Sequence, residues 1–277
     1  MLTWLRGERR WTLELSDAVD LTRRLSFDER DPAAFGLPRA HAAAVRGDGW
    51  TLRTTAGGSV NCDSVTLTPH GNTTHTETVG HIALERPAIA DLPLPPMLAA
   101  VLLRVAPEAL GASGEGYAGR SGPGDPVVTA AGLETAWSAL PDDARAGWRE
   151  ALIIGTGSAL DRPAPATTPP YLTTEAVAWI RALEFDHVVL DVPSIDRLDD
   201  GGGLPNHHAF WGLPQRARDG GARSVQAAAG SDRSITELAL VPPSQAAGPG
   251  ALMLAPARWA LDAAPARLTF VPARLLG

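Results

Sequence analysis

A chain of 277 residues, 44% hydrophobic and 20% charged, can bury roughly three quarters of its unfolded surface and is no disordered segment. Its net charge of −7, with no basic stripe, argues against a nucleic-acid surface. All 24 basic residues are arginine, which removes Schiff-base, pyridoxal-phosphate and Walker-type lysine chemistry.

At the start of the chain, Arg6, Glu8, Arg9 and Arg10 interrupt the apolar run that an export signal needs, so a cytoplasmic protein beginning at Met1 is expected. Strand-like segments follow at residues 11–15 and 50–54, separated by Gly, Pro and Asp. Residues 60–68 are β-branched and alternating and read as a further strand. The lone Cys62 reads as small core filler there and cannot form an intramolecular disulfide. Residues 70–81 come next and concentrate His70, His75 and His81 in a chain with seven histidines. His75 and Glu77 are two apart, so in an extended segment both leave the same face and can share one ion through imidazole nitrogen and carboxylate oxygen. His81 lies past Gly80, where the chain can turn, so its ring can return over the same pocket as a ligand or as a base. A Thr-rich surface loop is the ordinary alternative for this cluster. The most apolar stretch, residues 92–105, contains Pro93, Pro95, Pro96 and Arg104 and is too short to span a bilayer, so no membrane partner is expected.

Further on, residues 111–126 read as a surface loop. Trp137, Leu140, Trp148 and Leu152 stand near helical spacing over 132–152, and residues 152–154 read as a short buried strand. Thr173 reads as an N-cap with Glu175 in the first turn. Ala176, Val177, Ile180 and Leu183 give an apolar stripe to about Glu184. The continuous apolar run 187–192 then reads as a strand buried on both faces, and helix followed by buried strand implies an α/β layer arrangement. Beyond it, residues 193–211 occupy the kind of loop, at the carboxyl end of a strand, where open α/β proteins place ligands. His207 and His208 lie there as candidate ligands, or as caps of a turn beside Phe210 and Trp211. Trp211 could serve as an aromatic wall or as core. Residues 212–233 read as an inserted flexible loop. Order returns over 235–241, where Glu237 is a charge in an apolar run, costly unless paired or metal-bound, or else exposed on an edge strand. His41 and His187 stand alone and read as structural or surface residues.

These residues resemble the metal-dependent cyclase family that includes bacterial kynurenine formamidase and isatin hydrolase, whose signature has the form H-x-G-T-H-x-D-x-P-x-H. Thr74-His75-Thr76-Glu77 with His81 reproduces the second histidine, the acid two residues on and the last histidine. Pro170-Tyr171-Leu172-Thr173, the segment from Asp191 to Asp196, and a downstream histidine and glutamate extend the resemblance over residues 60–242. Three positions depart from the signature. Glu77 replaces the usual aspartate, Val79 replaces the proline, and Gly71 stands where the first histidine belongs, with His70 one residue too early. A one-residue bulge would restore the reach of His70.

The resemblance implies a single α/β domain over residues 1–277 with a mixed, partly barrel-like sheet and peripheral helices, the swivelling β/β/α fold, and a homodimer. It implies one or two ions, zinc or alternatively manganese, held by His70, His75, Glu77, His207 and Glu237, with Glu77 a candidate bridge and His81 the catalytic base. His208 is the lesser alternative to His207. The implied activity on a small-molecule substrate is metal-dependent hydrolysis of a C–N amide bond, arylformamidase-like and therefore placed in tryptophan catabolism. Opening of a cyclic amide or lactone is the second expectation. A non-catalytic metal-binding scaffold is the third, kept open by Gly71.

Overall fold

The computed structural model describes residues 1–157, 168–214 and 230–276. Its N-terminal hairpin, β1 (Leu2–Arg6) and β2 (Arg9–Leu13), turns through Gly7 at φ +59°. Seven further strands close into a barrel-like ring: β3 (His75–Glu77), β4 (Leu98–Arg104), β5 (Ala151–Gly155), β6 (His187–Leu190), β7 (Ser234–Glu237), β8 (Gly248–Pro256) and β9 (Ala263–Leu275). Strands β4, β5, β6 and β7 run parallel in that order. Strand β8 is antiparallel to β4 and β9, and β3 is antiparallel to both β7 and β9, which closes the ring. The expected mixed sheet with peripheral helices is therefore present, and its barrel is closed. The 13 residues of β9 make this geometry affordable: the strand begins against β3, continues along β8 and ends against β2.

The two faces of the ring explain the apolar runs. Leu98, Ala100 and Leu102 of β4 join Ala151, Ile153, Val189, Leu252 and Phe270 in one cluster, on the inner face. The alternate residues Ala99, Val101 and Leu103 join Leu152, Ile154, Val188 and Ile235 in a second cluster that also holds the helices. With both faces covered, period-two alternation gives unbroken apolar sequence. The outer layer is α2 (Ala130–Ser138), α3 (Thr174–Ala182) and α4 (Pro205–Trp211); a single turn, α1 (Pro69–Asn72), precedes β3. Thr173 caps α3 as expected, its hydroxyl accepting from Ala176 N at 3.0 Å. Among the described residues no helix is long and apolar enough to cross a membrane.

Four expectations need correction. The helical spacing over 132–152 breaks after Ser138, because Pro141 cannot continue a helix, and Trp148 instead packs edge-on against Trp4 and Trp11. The strand expected over 60–68 is Asp63–Thr66, paired with His41–Ala44 in a two-stranded sheet outside the ring. Both of its faces are exposed, and Cys62 is an exposed free thiol rather than core filler. Residues 205–211, expected to be loop, form α4. Of the inserted loop expected over 212–233, residues 215–229 lie outside the described residues.

Candidate metal centre

Strand β3 supplies the centre of the site. His75 and Glu77 leave one face of it, while Thr76 leaves the other and meets Thr236 of β7 at 2.8 Å between hydroxyls. The antiparallel register sets Glu237 opposite His75, so three buried ligand-type side chains share the face that looks toward α4. His75 Nε2 lies 3.6 Å from a Glu237 oxygen and 3.9 Å from a Glu77 oxygen. Its Nδ1 is 3.0 Å from the carbonyl of Thr73, which can only accept; Nδ1 therefore carries the proton and Nε2 presents a bare lone pair to the two carboxylates.

Helix α1 brings in His70. The bulge expected from the motif spacing is absent. A helical turn rises only about 1.5 Å per residue, so the extra residue costs little reach. The His70 ring ends 5.1 Å from that of His75, with Nε2 3.3 Å from Glu77. Gly71 sits where α1 meets the turn Ala34–Gly36: a Cβ there would lie 2.9 Å from Leu37 Cδ1 and 3.1 Å from the Ala34 carbonyl. His81, partly exposed, stacks on His70 at 4.3 Å between ring centres, with Nδ1 3.8 Å from Glu77. Gly80 does not supply a positive φ at the turn. It allows close approach, since a Cβ there would lie 2.5 Å from the Pro87 carbonyl.

From α4, His207 points Nε2 to 3.0 Å from Glu77 and 3.8 Å from Glu237, and its Nδ1 is fixed 2.5 Å from Asp196. His208 leaves the helix about 100° further round and is also buried. Glu237 is buried in the closed ring and accepts from Ile195 N at 2.8 Å, which removes the edge-strand alternative. Trp211 is core: fully buried, it donates from Nε1 to the Arg233 carbonyl. His187 is buried against Ser234 and His41 is exposed, both away from the site.

Three residues that sequence reasoning left without a role complete the centre. Asp262, at the entry to β9, places a carboxylate oxygen 3.3 Å from His70 and 3.5 Å from His81, and Arg86 holds its other oxygen at 2.5 Å. Asp196 orients His207. Phe35, with Leu37 and Leu204, walls a cavity of about 250 Å³ over His70, His81 and His207. No local pattern marks Asp262 or Phe35, whereas Asp196 lies in a segment already notable for its family resemblance.

The charges are strongly coupled. Burial alone would raise the Glu77 pKa, but His81, His207 and His70 hold it well below the ordinary value. Burial and the neighbouring Glu77 raise Glu237. Burial, with His70 nearby, lowers His75 to about 3, so that ring is neutral. Burial opposes charge on His70 too, yet Asp262 and Glu77 prevail and raise it to about 10. Two triads each gather ligand atoms within 4.8 Å, His70–Glu77–His81 and His75–Glu77–Glu237, and they share Glu77. The buried His70 Nε2, His75 Nε2 and both Glu77 oxygens make no hydrogen bond of proper geometry. Such atoms are costly unless a cation pairs them, and the imidazole and carboxylate set suits a divalent first-row metal.

A family model described as "Putative cyclase" matches residues 19–197. Among curated proteins nothing matches. Solved structures similar to this one include a predicted metal-dependent hydrolase from Bacillus stearothermophilus, at 15% identity and TM-score 0.57 over 92% of this chain and 97% of that one. Isatin hydrolase A from Labrenzia aggregata, bound to benzyl benzoate, is similar at 16% identity and TM-score 0.57 over 93% and 94%. A structure titled a novel cyclase is similar at 14% identity and TM-score 0.58 over 94% and 89%. At these identities the structures speak for the fold, and the family model, which spans well over half of the sequence, speaks for descent: the chain belongs to the cyclase family.

Proposed function

We propose that this protein is a metal-dependent hydrolase of C–N amide bonds, arylformamidase-like, acting on a small-molecule substrate. The observation that carries the reading is the buried Glu77 carboxylate, shared by two His/Glu triads, whose two oxygens, like Nε2 of His70 and of His75, make no hydrogen bond of proper geometry. His70, His75, Glu77, His207 and Glu237 would hold one or two ions, zinc or manganese, and Glu77 is the ligand common to both triads. A bound divalent ion lowers the pKa of water toward neutrality and polarises a carbonyl oxygen.

The chain's own residues do the rest. Thr73 and Asp196 hold the tautomers of His75 and His207 so that each presents Nε2 to the site. His81, partly exposed at the cavity and 3.5 Å from Asp262, is placed to take the proton from water and return it to the leaving nitrogen. Water splits the amide: the C–N bond breaks with its electron pair going to nitrogen, the water oxygen and one hydrogen go to the acyl carbon, and the other hydrogen goes to nitrogen. Opening of a cyclic amide or lactone is the second reading, favoured by the small cavity and by the fold shared with isatin hydrolase A. The scaffold reading loses the gap that motivated it, because His70 reaches Glu77 although Gly71 occupies the motif position.

Metal analysis of the purified protein, followed by assays on N-formylkynurenine, isatin and simple lactones, tests the reading. His75→Ala should abolish metal retention, whereas His81→Ala should keep the metal and lose turnover. Full metal stoichiometry in the His75 variant would overturn the ligand assignment. Metal without activity on any of these substrates would favour a scaffold.

A further inference from the structure

The segment 111–126, expected to be a surface loop, is stapled to the outer helices. Glu115 accepts from Ala130 N and Ala131 N at 2.8 and 2.9 Å, at the start of α2, and from the hydroxyl of Thr173, the cap of α3, at 2.6 Å. Gly116 donates to Glu175 at 3.0 Å and accepts from Thr174 N at 2.9 Å. Tyr117, next in the chain, is thereby held in place. Its ring is buried and packs edge-on against Tyr171, with 4.8 Å between ring centres.

The phenol ends in the loop that leads into α4. It accepts from Arg197 N at 3.3 Å, and because an amide N–H can only donate, the phenol's own proton is left for another partner. Asp196 Oδ1 receives it at 2.7 Å, while Asp200, at 3.4 Å, is the weaker acceptor. Burial, and then the Asp196 charge, push the phenol pKa up, so the group stays a donor. Asp196 turns its other oxygen to His207 Nδ1, and His207 Nε2 faces Glu77. An unbroken run of contacts therefore leads from the first turns of two outer helices, through Tyr117 and Asp196, to a candidate metal ligand. Packing against Tyr171 needs only the ring, so the hydroxyl serves Asp196.

We propose that Tyr117 is a positioning residue of the metal centre: its hydroxyl fixes the plane of the Asp196 carboxylate and, through it, the tilt of the His207 ring toward the ion. This rests on the metal-dependent reading above and adds to it a residue from a segment without any ligand. With the phenol removed, Asp196 Oδ1 keeps only the Asn206 N–H, and the carboxylate is free to turn away from Nδ1.

Zinc alone, titrated in competition with a fluorescent chelator, and the imidazole Nδ1 protons followed by NMR in histidine-labelled protein test this. Tyr117→Phe keeps the ring and loses the hydroxyl. It should bind zinc about tenfold more weakly, the lower end of the loss expected for an outer partner of a ligating histidine. The His207 Nδ1 proton should shift, and that of His75, held by the Thr73 carbonyl, should not. Tyr171→Phe is the control, because its hydroxyl donates to Asp125 at 2.9 Å and not to Asp196. Its zinc affinity and its His207 proton should match wild type even if its melting temperature falls as far as that of Tyr117→Phe. Wild-type zinc affinity or an unmoved His207 proton in Tyr117→Phe, or an equal loss of affinity in Tyr171→Phe, overturns the role of Tyr117. No zinc binding by the unaltered protein would instead sink the metal-dependent reading, and the His207 proton, read without metal, would still decide whether Tyr117 acts on that ring.

Discussion

Asp196 decides what His207 can do. Its Oδ2 accepts from His207 Nδ1 at 2.5 Å and from the His207 backbone N at 3.0 Å; its Oδ1 accepts from Asn206 N and from the Tyr117 hydroxyl, at 2.9 and 2.7 Å. Burial would raise the Asp196 pKa, but His207 and these donors outweigh it and hold the carboxylate charged. A charged acceptor on Nδ1 leaves Nε2 facing Glu77. Asp196→Asn keeps the shape and loses the charge, so metal affinity should fall roughly 10–100-fold, the usual effect of a lost second partner on a ligating histidine. Competition against a fluorescent chelator reads this, and unchanged affinity would remove Asp196 from the argument. His187, away from the site, makes a different prediction. Burial lowers its pKa from the ordinary 6.5 to about 4, so between these values the unfolded chain binds a proton that the folded one refuses. Stability from this residue is complete above pH 6.5 and declines as pH falls toward 4, by about 1.4 kcal/mol per pH unit. Replacing His187 with Gln should flatten the acid limb of a plot of melting temperature against pH; an equally steep limb would assign the loss to other groups.

Among the elements, the turn Val79–His81 is tightly enclosed by backbone. A Cβ on Gly80 would stand 2.5 Å from the Pro87 carbonyl and 3.0 Å from two further backbone atoms of residues 86 and 87, none of which is the end of a flexible side chain. The same 86–87 segment accepts from the Thr78 hydroxyl at 2.8 Å and supplies Arg86 to Asp262. Gly80→Ala should therefore cost about 1–3 kcal/mol, as overpacking does, and should displace His81 as well. Denaturant titration measures the first effect, and a loss below about 0.5 kcal/mol would mean that the segment yields freely. Legibility differed among elements for local reasons. Helix α3 was readable because Thr173, Glu175 and the apolar stripe all lie within it, and β6 because burial on both faces leaves an unbroken apolar run. Helix α4 was not: it has no capping side chain at Leu204, and nearly all of its residues are buried, so neither a cap nor an amphipathic period marks it. Cys62 was misread because β-branched composition reports strand but not burial, and its neighbouring strand lies in a small exposed sheet. His75 and Glu77 were legible through a spacing of two. Asp262 was not, because it reaches His70 and His81 only through the pairing of β9 with β3, about 180 to 190 positions along the chain.

At the scale of the whole molecule, barrel closure and the candidate metal centre are the same event. The ring closes where β3, three residues long, fits between β7 and β9, and two of those three residues are His75 and Glu77. That closure gathers side chains from residues 70–81, α4, β7 and the start of β9 around Glu77. Without a cation, the carboxyl groups of Glu77 and Glu237 are buried together against imidazoles and the Ile195 N–H, a costly arrangement at the seam of the barrel. A bound divalent ion should therefore stabilise the fold and not merely the site. At an ion concentration 100 times the dissociation constant, linkage gives about 2.7 kcal/mol. For a chain of this size, with roughly 2–4 °C per kcal/mol, that is a rise in melting temperature of at least about 5 °C on loading, reversed by a chelator. Glu77→Gln removes the shared ligand charge, so it should abolish the ion-dependent rise even if it melts higher than the metal-free parent, because one buried charge is gone. Equal melting temperatures for chelated and ion-loaded wild type would show that the seam closes without a cation, and the two triads around Glu77 would then need a different explanation.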